Sequence, residues 1–330
     1  MITSVLILIA CAVAIYVCCE YFVNGVEWVG LRLGVSKSAV GTVLASFGTA
    51  LPESVVTFVA VVGGHDAYAK QIGVGAAIGG PLVLSTIAYA VVGGCFVAIR
   101  PDSTAPFLQP GEQRRLAGDQ AWFLAIFAAK VALGLVAFLY KPWLGGAFLA
   151  AYAAYTWREM TRYDAVGATE LELEPLKFRP RDANPAVHWA LLQTGLALVV
   201  TFVSSQYFVQ QLEIISPALG FSGQLTAMLL SPIATELPEI LNAVIWVRQG
   251  KATLALGNIS GSMMIQATIP SALGIIFTPW LLDKPLIIAA AVTFLAIAVL
   301  WVLLRTTRLR AGQLAAIGIF YVIFAVAIAL

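Results

Sequence analysis

Runs of roughly twenty apolar residues follow one another along the whole chain, and each is long enough to cross a bilayer as a helix. Within hydrocarbon the backbone must satisfy its own hydrogen bonds, which restricts such runs to helices. Of the 330 residues, 60% are hydrophobic and 11% charged, against about a quarter charged in a soluble domain. The pattern predicts a polytopic integral membrane protein. The first run, Ile2 to about Val23, has neither a basic leader nor an obvious small-residue cleavage site, so it reads as a retained helix. A net charge of +2 gives no reason to expect a nucleic-acid partner. The partners expected are membrane lipid and inorganic cations.

Hydropathy and the breaks at Gly, Pro or charge clusters predict ten helices, over residues 2–30, 37–62, 70–98, 120–139, 142–157, 186–213, 222–248, 251–277, 285–304 and 312–330. The most polar stretch, 158–185, separates the fifth from the sixth and reads as a solvated cytoplasmic linker, with too few apolar residues to bury a core of its own. Lysine and arginine set the orientation. With the N-terminus outside, fifteen of them fall on inside segments and three (Lys70, Lys141 and Lys284) on outside ones, leaving Lys130 within the fourth span. Both termini are expected on the non-cytoplasmic side of a cell or inner membrane.

The chain also repeats itself. Displaced by 186 positions, residues 21–53 meet residues 207–239 without a gap and with 12 identities, including "YFV" on "YFV" and "TALPE" on "TELPE". Five helices separate the copies, an odd number, so the second copy enters the membrane from the opposite side. The expected fold is therefore all-α: ten transmembrane helices as two inverted five-helix repeats, 1–157 and 186–330. Inverted repeats of this kind build secondary transporters with the site at the midplane.

Polar residues inside the spans mark that site. Thr42, Ser46, Thr49 and Glu53 are spaced 4, 3 and 4 apart, and Ser231, Thr235, Glu239 and Asn242 are spaced 4, 4 and 3, so each set shares one helix face. Pro52 and Pro238 remove the donors for the carbonyls of Gly48 and Ala234. Carboxylate, hydroxyl and freed carbonyl oxygens together are the ligand set of a hard cation such as Ca²⁺. Glu53 and Glu239 supply two negative charges, which one Ca²⁺ or two Na⁺ would neutralise. An ionised carboxylate at the bilayer centre costs on the order of 3 kcal/mol or more, so such a site exchanges one cation for another and does not stand empty. The opposing reading is a pair of kinked helices with protonated glutamates. In "GNISGSMMIQAT", 257–268, Asn258, Ser262 and Gln266 form a polar stripe that is either a ligand set or, with Gly257 and Gly261, a close-packing face. Glu236 reads as a proton or second-cation site, or as a protonated packing residue. Glu20, Glu27 and Glu213 lie where they can reach the interface. Lys130 reads as structural, snorkelling or paired with a carboxylate. Cys11, Cys18, Cys19 and Cys95 have no metal-site spacing, and the signatures of zinc and serine hydrolases and of a nucleotide-binding loop are absent. No enzyme activity and no cofactor is expected.

The two stretches "YFVNGVEWVGLRLGVSKSAVGTVLASFGTALPE" and "ATELPEILNAVIWVRQGKATLALGNISGSMM" resemble the paired α-repeats of the calcium:cation antiporter superfamily, nearest its sodium/calcium exchanger branch. The resemblance implies that Glu53, Glu239, Thr49 and Thr235 bind the transported cation. It places Ser46 and Pro232 at the carbonyl-donating positions, and Ser262 and Gln266 at the serine and acid-or-amide positions of the eighth helix. The chain departs from that pattern at Ala50 and Glu236, which replace motif serines, and at Gly80 and Leu84, which replace a third-helix serine and asparagine. The function implied is exchange of Ca²⁺, or a similar divalent cation, for Na⁺ by alternating access. The alternatives are a cation/H⁺ exchanger without sodium dependence, then an ion channel, and last an intramembrane enzyme.

Overall fold

The computed structural model describes residues 2–36, 39–58, 61–62, 67–99, 108–161, 173–215, 229, 231–306 and 309–329, without the side chains of residues 51–53, 55, 56, 67–72, 212, 213, 231 and 329. Among the described residues every regular element is a helix. Helix α1 is Ile2–Leu33. It stops at Gly34, whose φ of 66° only glycine adopts readily. Helix α2 begins as a π-helix, Val40–Ala45, and continues as Ser46–Phe58. Helix α3 is Ala67–Val83, a π-helical stretch Leu84–Ala88, and Tyr89–Ile99. Helix α4 is Pro110–Gly134. A 3₁₀ turn, Lys141–Leu144, leads into α5, Gly145–Thr161. Helix α6 is Val187–Ile215, α7 is Ser231–Thr235 with Leu237–Arg248, α8 is Ala252–Phe277, α9 is Lys284–Arg305, and α10 is Ala311–Ala316 with Ile319–Ala329. Seven helices among the described residues are long and apolar enough to cross a membrane. Helices α2, α5 and α7 are shorter or interrupted.

Helix α4 starts about ten residues before the position that hydropathy predicts. Pro110 fits a first helical position, and the Glu112 carboxylate accepts from the Gln109 N–H at 2.7 Å, so the polar run "PGEQRRLAGD" has its own helix start. Its buried charges are balanced in place. Arg115 reaches Glu159 at 3.0 Å, and Arg158 reaches Asp119 and Glu159 at 3.3 Å each. Residues 158–161 therefore belong to α5 and to a buried ion network, not to the linker. At the opposite end of α4, Lys141 donates to the carbonyls of Val136, Pro279 and Trp280 at 2.7, 2.9 and 2.8 Å. Burial still pushes its ammonium below the usual lysine range.

Helix α8 is the axis of the molecule. It packs on α2, α3, α4, α5 and α7, and its residues are buried almost without interruption. Glycines permit that density: a Cβ on Gly261 would collide with the Thr42 carbonyl and the Ser46 hydroxyl, and one on Gly41 would lie 2.9 Å from the Leu254 carbonyl. Helix α5 lies on α8 while α10 lies on α3, and α4 pairs with α9. Helix α1 pairs above all with α6, and both leave long apolar faces outward, with Leu6, Val13, Leu192 and Val199 among the exposed residues.

Residues 173–186 are not a solvated linker. They form a strap across the α1–α6 pair, with Leu176 fully buried beside Trp28 and Ala190. The Glu174 carbonyl accepts from Asn24 Nδ2 at 3.3 Å and Trp28 Nε1 at 3.0 Å. Asn24 Oδ1 accepts from the Lys177 N–H at 3.0 Å and from Gln193 Nε2 at 2.9 Å, and Gln193 Oε1 accepts from the Phe178 N–H at 2.8 Å. Hydropathy misses the strap because its hold is polar and main-chain, not apolar. Glu20 is partly exposed and lies 3.6 Å from Lys177 of the strap. Glu27 does not reach the interface: it is 3% exposed and ion-paired with Lys251. The side chain of Glu213 lies outside the described residues.

Replacing Asn24 by Ala strands the Lys177 N–H and part of Gln193, each buried group costing about 1–3 kcal/mol. The expected result is a lower melting temperature in detergent and faster tryptic cleavage at Lys177 and Arg181. Both are read from the same purified protein by thermal melt and timed digestion.

Candidate cation site

Helix α7 breaks at Glu236 because prolines flank it. Pro238 offers no N–H to Ala234, and its ring crowds that carbonyl, so the helix restarts at Leu237 with Glu236 in the cap position. The cap leaves Glu236 fully buried and sets Glu239, 2% exposed, in the first turn of Leu237–Arg248. Both carboxylates thus stand at a helix N-terminus, where the backbone dipole favours negative charge. The Thr235 hydroxyl donates to the Pro232 carbonyl at 3.1 Å, so these two predicted ligands are in contact with each other.

Helix α8 supplies the opposing wall. Gln266 Nε2 donates to Glu236 Oε1 at 2.8 Å. Gly80 of α3 closes on the same pair: a Cβ there would lie 2.5 Å from Gln266 Oε1 and 2.8 Å from Glu236 Oε1. Gly80 is also the 186-shift partner of Gln266, since 266 − 186 = 80. That register makes Gly80 the position facing the amide, and Leu84 sits instead in the buried π-helical stretch. Five residues back along α8, roughly 7.5 Å along its axis, Gly261 meets Thr42 and Ser46 of α2. The Ser46 hydroxyl donates to the Thr42 carbonyl at 2.7 Å, and the Thr49 hydroxyl donates to the Ala45 carbonyl at 3.2 Å. The π-helical turn just before Ser46 is a feature that recurs at functional sites.

The structure therefore brings Glu236 and Gln266 into direct contact and places Pro232, Thr235 and Glu239 beside them on α7. Ser46 and Thr49 lie on α2, which touches both α7 and α8. The backbone of Glu53 continues α2, but its side chain lies outside the described residues. Ser262 of α8 is buried, as are Asn242 one turn beyond Glu239 and Asn258 one turn before Ser262. The side-chain oxygens and nitrogens of Asn242, Asn258 and Ser262 have no hydrogen-bond partner among the described residues. Buried polar groups are almost always paired, and each exception costs about 1–3 kcal/mol. All three lie on the contacting helices α7 and α8, which also carry Glu236, Glu239 and Gln266. Among the described residues no three acidic, cysteine or histidine side chains converge. Sequence reasoning missed Gly80 as a contact. The signal was the 186 shift itself, applied to Gln266.

The family model described as sodium/calcium exchanger protein matches residues 3–160 and 189–330. The inner membrane protein YrbG of Escherichia coli (strain K12) is 26% identical over 258 residues, covering 76% of this chain and 72% of that protein. CaxA of Alkalimonas amylolytica, a proposed antiporter, is 25% identical over 277 residues, covering 80% of this chain and 77% of that protein. Among solved structures, the sodium-calcium exchanger NCX_Mj soaked with 100 mM Na⁺ and 10 mM Sr²⁺ superposes with a TM-score of 0.76, covering 99% of this chain and 98% of that one at 20% identity. That likeness carries the fold.

Two glycine substitutions separate packing from binding. Gly80→Ala meets only the ends of two side chains, so the melting temperature stays near the parent's while cation affinity in calorimetry drops about tenfold, or 1.4 kcal/mol. Gly261→Ala meets backbone and lowers stability by about 1–3 kcal/mol in the same melt.

Proposed function

The chain belongs to the sodium/calcium exchanger protein family, and from that premise we propose that it exchanges Ca²⁺, or a similar divalent cation, for Na⁺ by alternating access. It is a multi-pass membrane protein and a cation antiporter; the ions and the mechanism are the proposal. The observation that carries it is the set of buried oxygens on Asn242, Asn258 and Ser262 that have no partner among the described residues, on the same two helices as Glu236, Glu239 and Gln266. A hard cation gains from six to eight oxygen ligands, and a dehydrated one repays the cost of keeping such oxygens dry.

In this reading Glu53 and Glu239 are shared by the competing ions. Thr49, Thr235, Ser262 and Gln266, with the carbonyls of Ser46 and Pro232, complete the shell. Glu236 adds a third carboxylate, held by Gln266. Na⁺ and Ca²⁺ compete because the same negative charges serve both, and exchange needs no nucleotide.

In this proposal the ten spans form two inverted halves, the first ending with α5 at Thr161 and the second beginning with α6 at Val187, with both termini on the non-cytoplasmic side. Reciprocal packing supports this: α5 on α8 mirrors α10 on α3, while α1–α6 and α4–α9 pair with their own counterparts. The α1–α6 pair, largely exposed and tied by its strap, is the part that slides against the core. A second reading, exchange for H⁺ without sodium, is favoured by one observation. A carboxyl whose partner is a glutamine can change protonation state, because the amide donates to the ionised form and accepts from the protonated one.

The test is uptake of ⁴⁵Ca²⁺ into proteoliposomes loaded with Na⁺. The parent should accumulate the label, and Glu239→Gln and Glu53→Gln should each reduce uptake by on the order of 100-fold, as removal of a buried charge partner does. Uptake driven by a pH gradient with Na⁺ absent on both sides establishes the second reading instead. Unchanged uptake in both variants overturns the proposal.

A further inference from the structure

Where the α1–α6 pair meets the rest of the protein, its contacts are mainly apolar, with Phe22 and Leu198 lying against Gly48. Apolar contact has no direction, so helices can slide across it at little cost. Polar contacts cross the same boundary, and among the described residues one of them is an ion pair. Glu27 of α1, 3% exposed, accepts at Oε1 from the Trp246 indole N–H at 2.7 Å and from Lys251 Nζ at 2.7 Å, with Oε2 at 2.6 Å from the same ammonium. Trp246 lies in the last turn of α7 and Lys251 caps the start of α8, and the turn between them sets the two side by side. The Lys251 N–H returns to the Trp246 carbonyl at 2.8 Å across Gly250, whose φ of 76° makes the reversal possible. The core thus presents a preformed two-donor socket, and α1 presents one carboxylate to it. On the same end, Arg248 Nη1 donates to the Tyr16 hydroxyl at 2.8 Å.

We propose that Glu27, engaged by Lys251 and Trp246, is a positioning latch that holds the α1–α6 pair against the core in this state and opens when the pair moves. The proposal rests on the alternating-access reading above. A sliding helix keeps its apolar contacts by exchanging one neighbour for another, but it cannot keep a carboxylate in a fixed socket. A buried ion pair is either made or replaced by water, which gives the movement two discrete states. The latch lies at the end of the bundle that carries Arg32, Arg248 and Lys251, the end assigned to the cytoplasm by charge.

The experiment uses the full chain with Cys11, Cys18 and Cys95 replaced by Ala. Cys19 is retained on α1, 1% exposed, with its Sγ 3.7 Å from the Pro238 carbonyl. Two readouts are taken: the rate of Cys19 alkylation by N-ethylmaleimide, and the half-saturating Ca²⁺ for exchange at each face of oriented proteoliposomes. Glu27→Gln and Lys251→Met should each speed alkylation about tenfold and shift the half-saturating Ca²⁺ in opposite directions at the two faces. Lys251→Arg, and Glu27→Lys combined with Lys251→Glu, should move both readouts back toward the parent. A merely structural pair would lower the melting temperature and leave alkylation and sidedness alone, and that result overturns the latch. Should the charge variants fail to fold, Trp246→Phe removes one donor and keeps the pair. A smaller shift in the same direction then supports the latch, and no shift overturns it. A parent that binds Ca²⁺ but does not exchange it ends the antiport reading, while the alkylation arm still decides the latch.

Discussion

In hydrocarbon a backbone carbonyl that has lost its helical donor finds no water to replace it, and proline creates such carbonyls within α3, α7 and α8. The answers differ by place. Pro81 strips Ala77 of its donor, and the buried Lys130 ammonium fills the gap at 2.8 Å while lying over the Phe127 ring. Lys130 therefore does not snorkel, and among the described residues it meets no carboxylate. Pro270 strips Gln266, and the Ser271 hydroxyl, at 3.3 Å, takes the vacated position. At Pro238 the helix breaks, and the break carries Glu236 and Glu239. The same covalent defect is thus met by a donor side chain in α3 and α8 and by a helix break in α7.

Buried amides make the same division. Asn24 and Gln193 sit inside the strap with donors and acceptors matched to main chain and to each other. A fully matched amide network rigidifies what it joins, so α1 and α6 behave as one body. Asn242 and Asn258 are equally buried, yet neither has a partner among the described residues. In the proposed function these amide oxygens serve the transported cation, which is present in one step of the cycle and absent in another.

Much of this was legible in the sequence because apolar length and the 186-residue repeat are one-dimensional signals. Helices α1, α3, α6, α8 and α9 fall within a few residues of where hydropathy puts them. Helix α4 does not, because its first ten residues are polar and their burial depends on Arg115 and Arg158 meeting Glu159 and Asp119 from a different helix. Hydropathy scores a charge by itself and cannot see its partner. The strap was illegible for the same reason, its hold being main-chain hydrogen bonds to residues about 150 positions away. Of the site, spacing and proline placement identified Glu236, Glu239, Thr235 and Gln266. The reading of Glu27 as an interfacial side chain failed because Trp246 and Lys251 come to it only through the Gly250 turn.

The departures from two-fold symmetry have a steric cause. In the two-copy reading, a residue near the pseudo-axis faces its own counterpart, and two large side chains cannot occupy one point. Gln266 and Gly80 are such a pair, and the Gln266 oxygen already lies where a Cβ on Gly80 would be only 2.5 Å away. Glu236 is the 186-shift partner of Ala50, since 236 − 186 = 50, and Ala50 is fully buried. One half yields its side chain and the other fills the volume, so the centre keeps its polar groups while taking them unequally from its two sources. The loss of oxygens from α3 and the gain of a carboxylate on α7 are then one change and not two. A side chain restored at position 80 must displace the Glu236–Gln266 pair before it can contribute a ligand of its own.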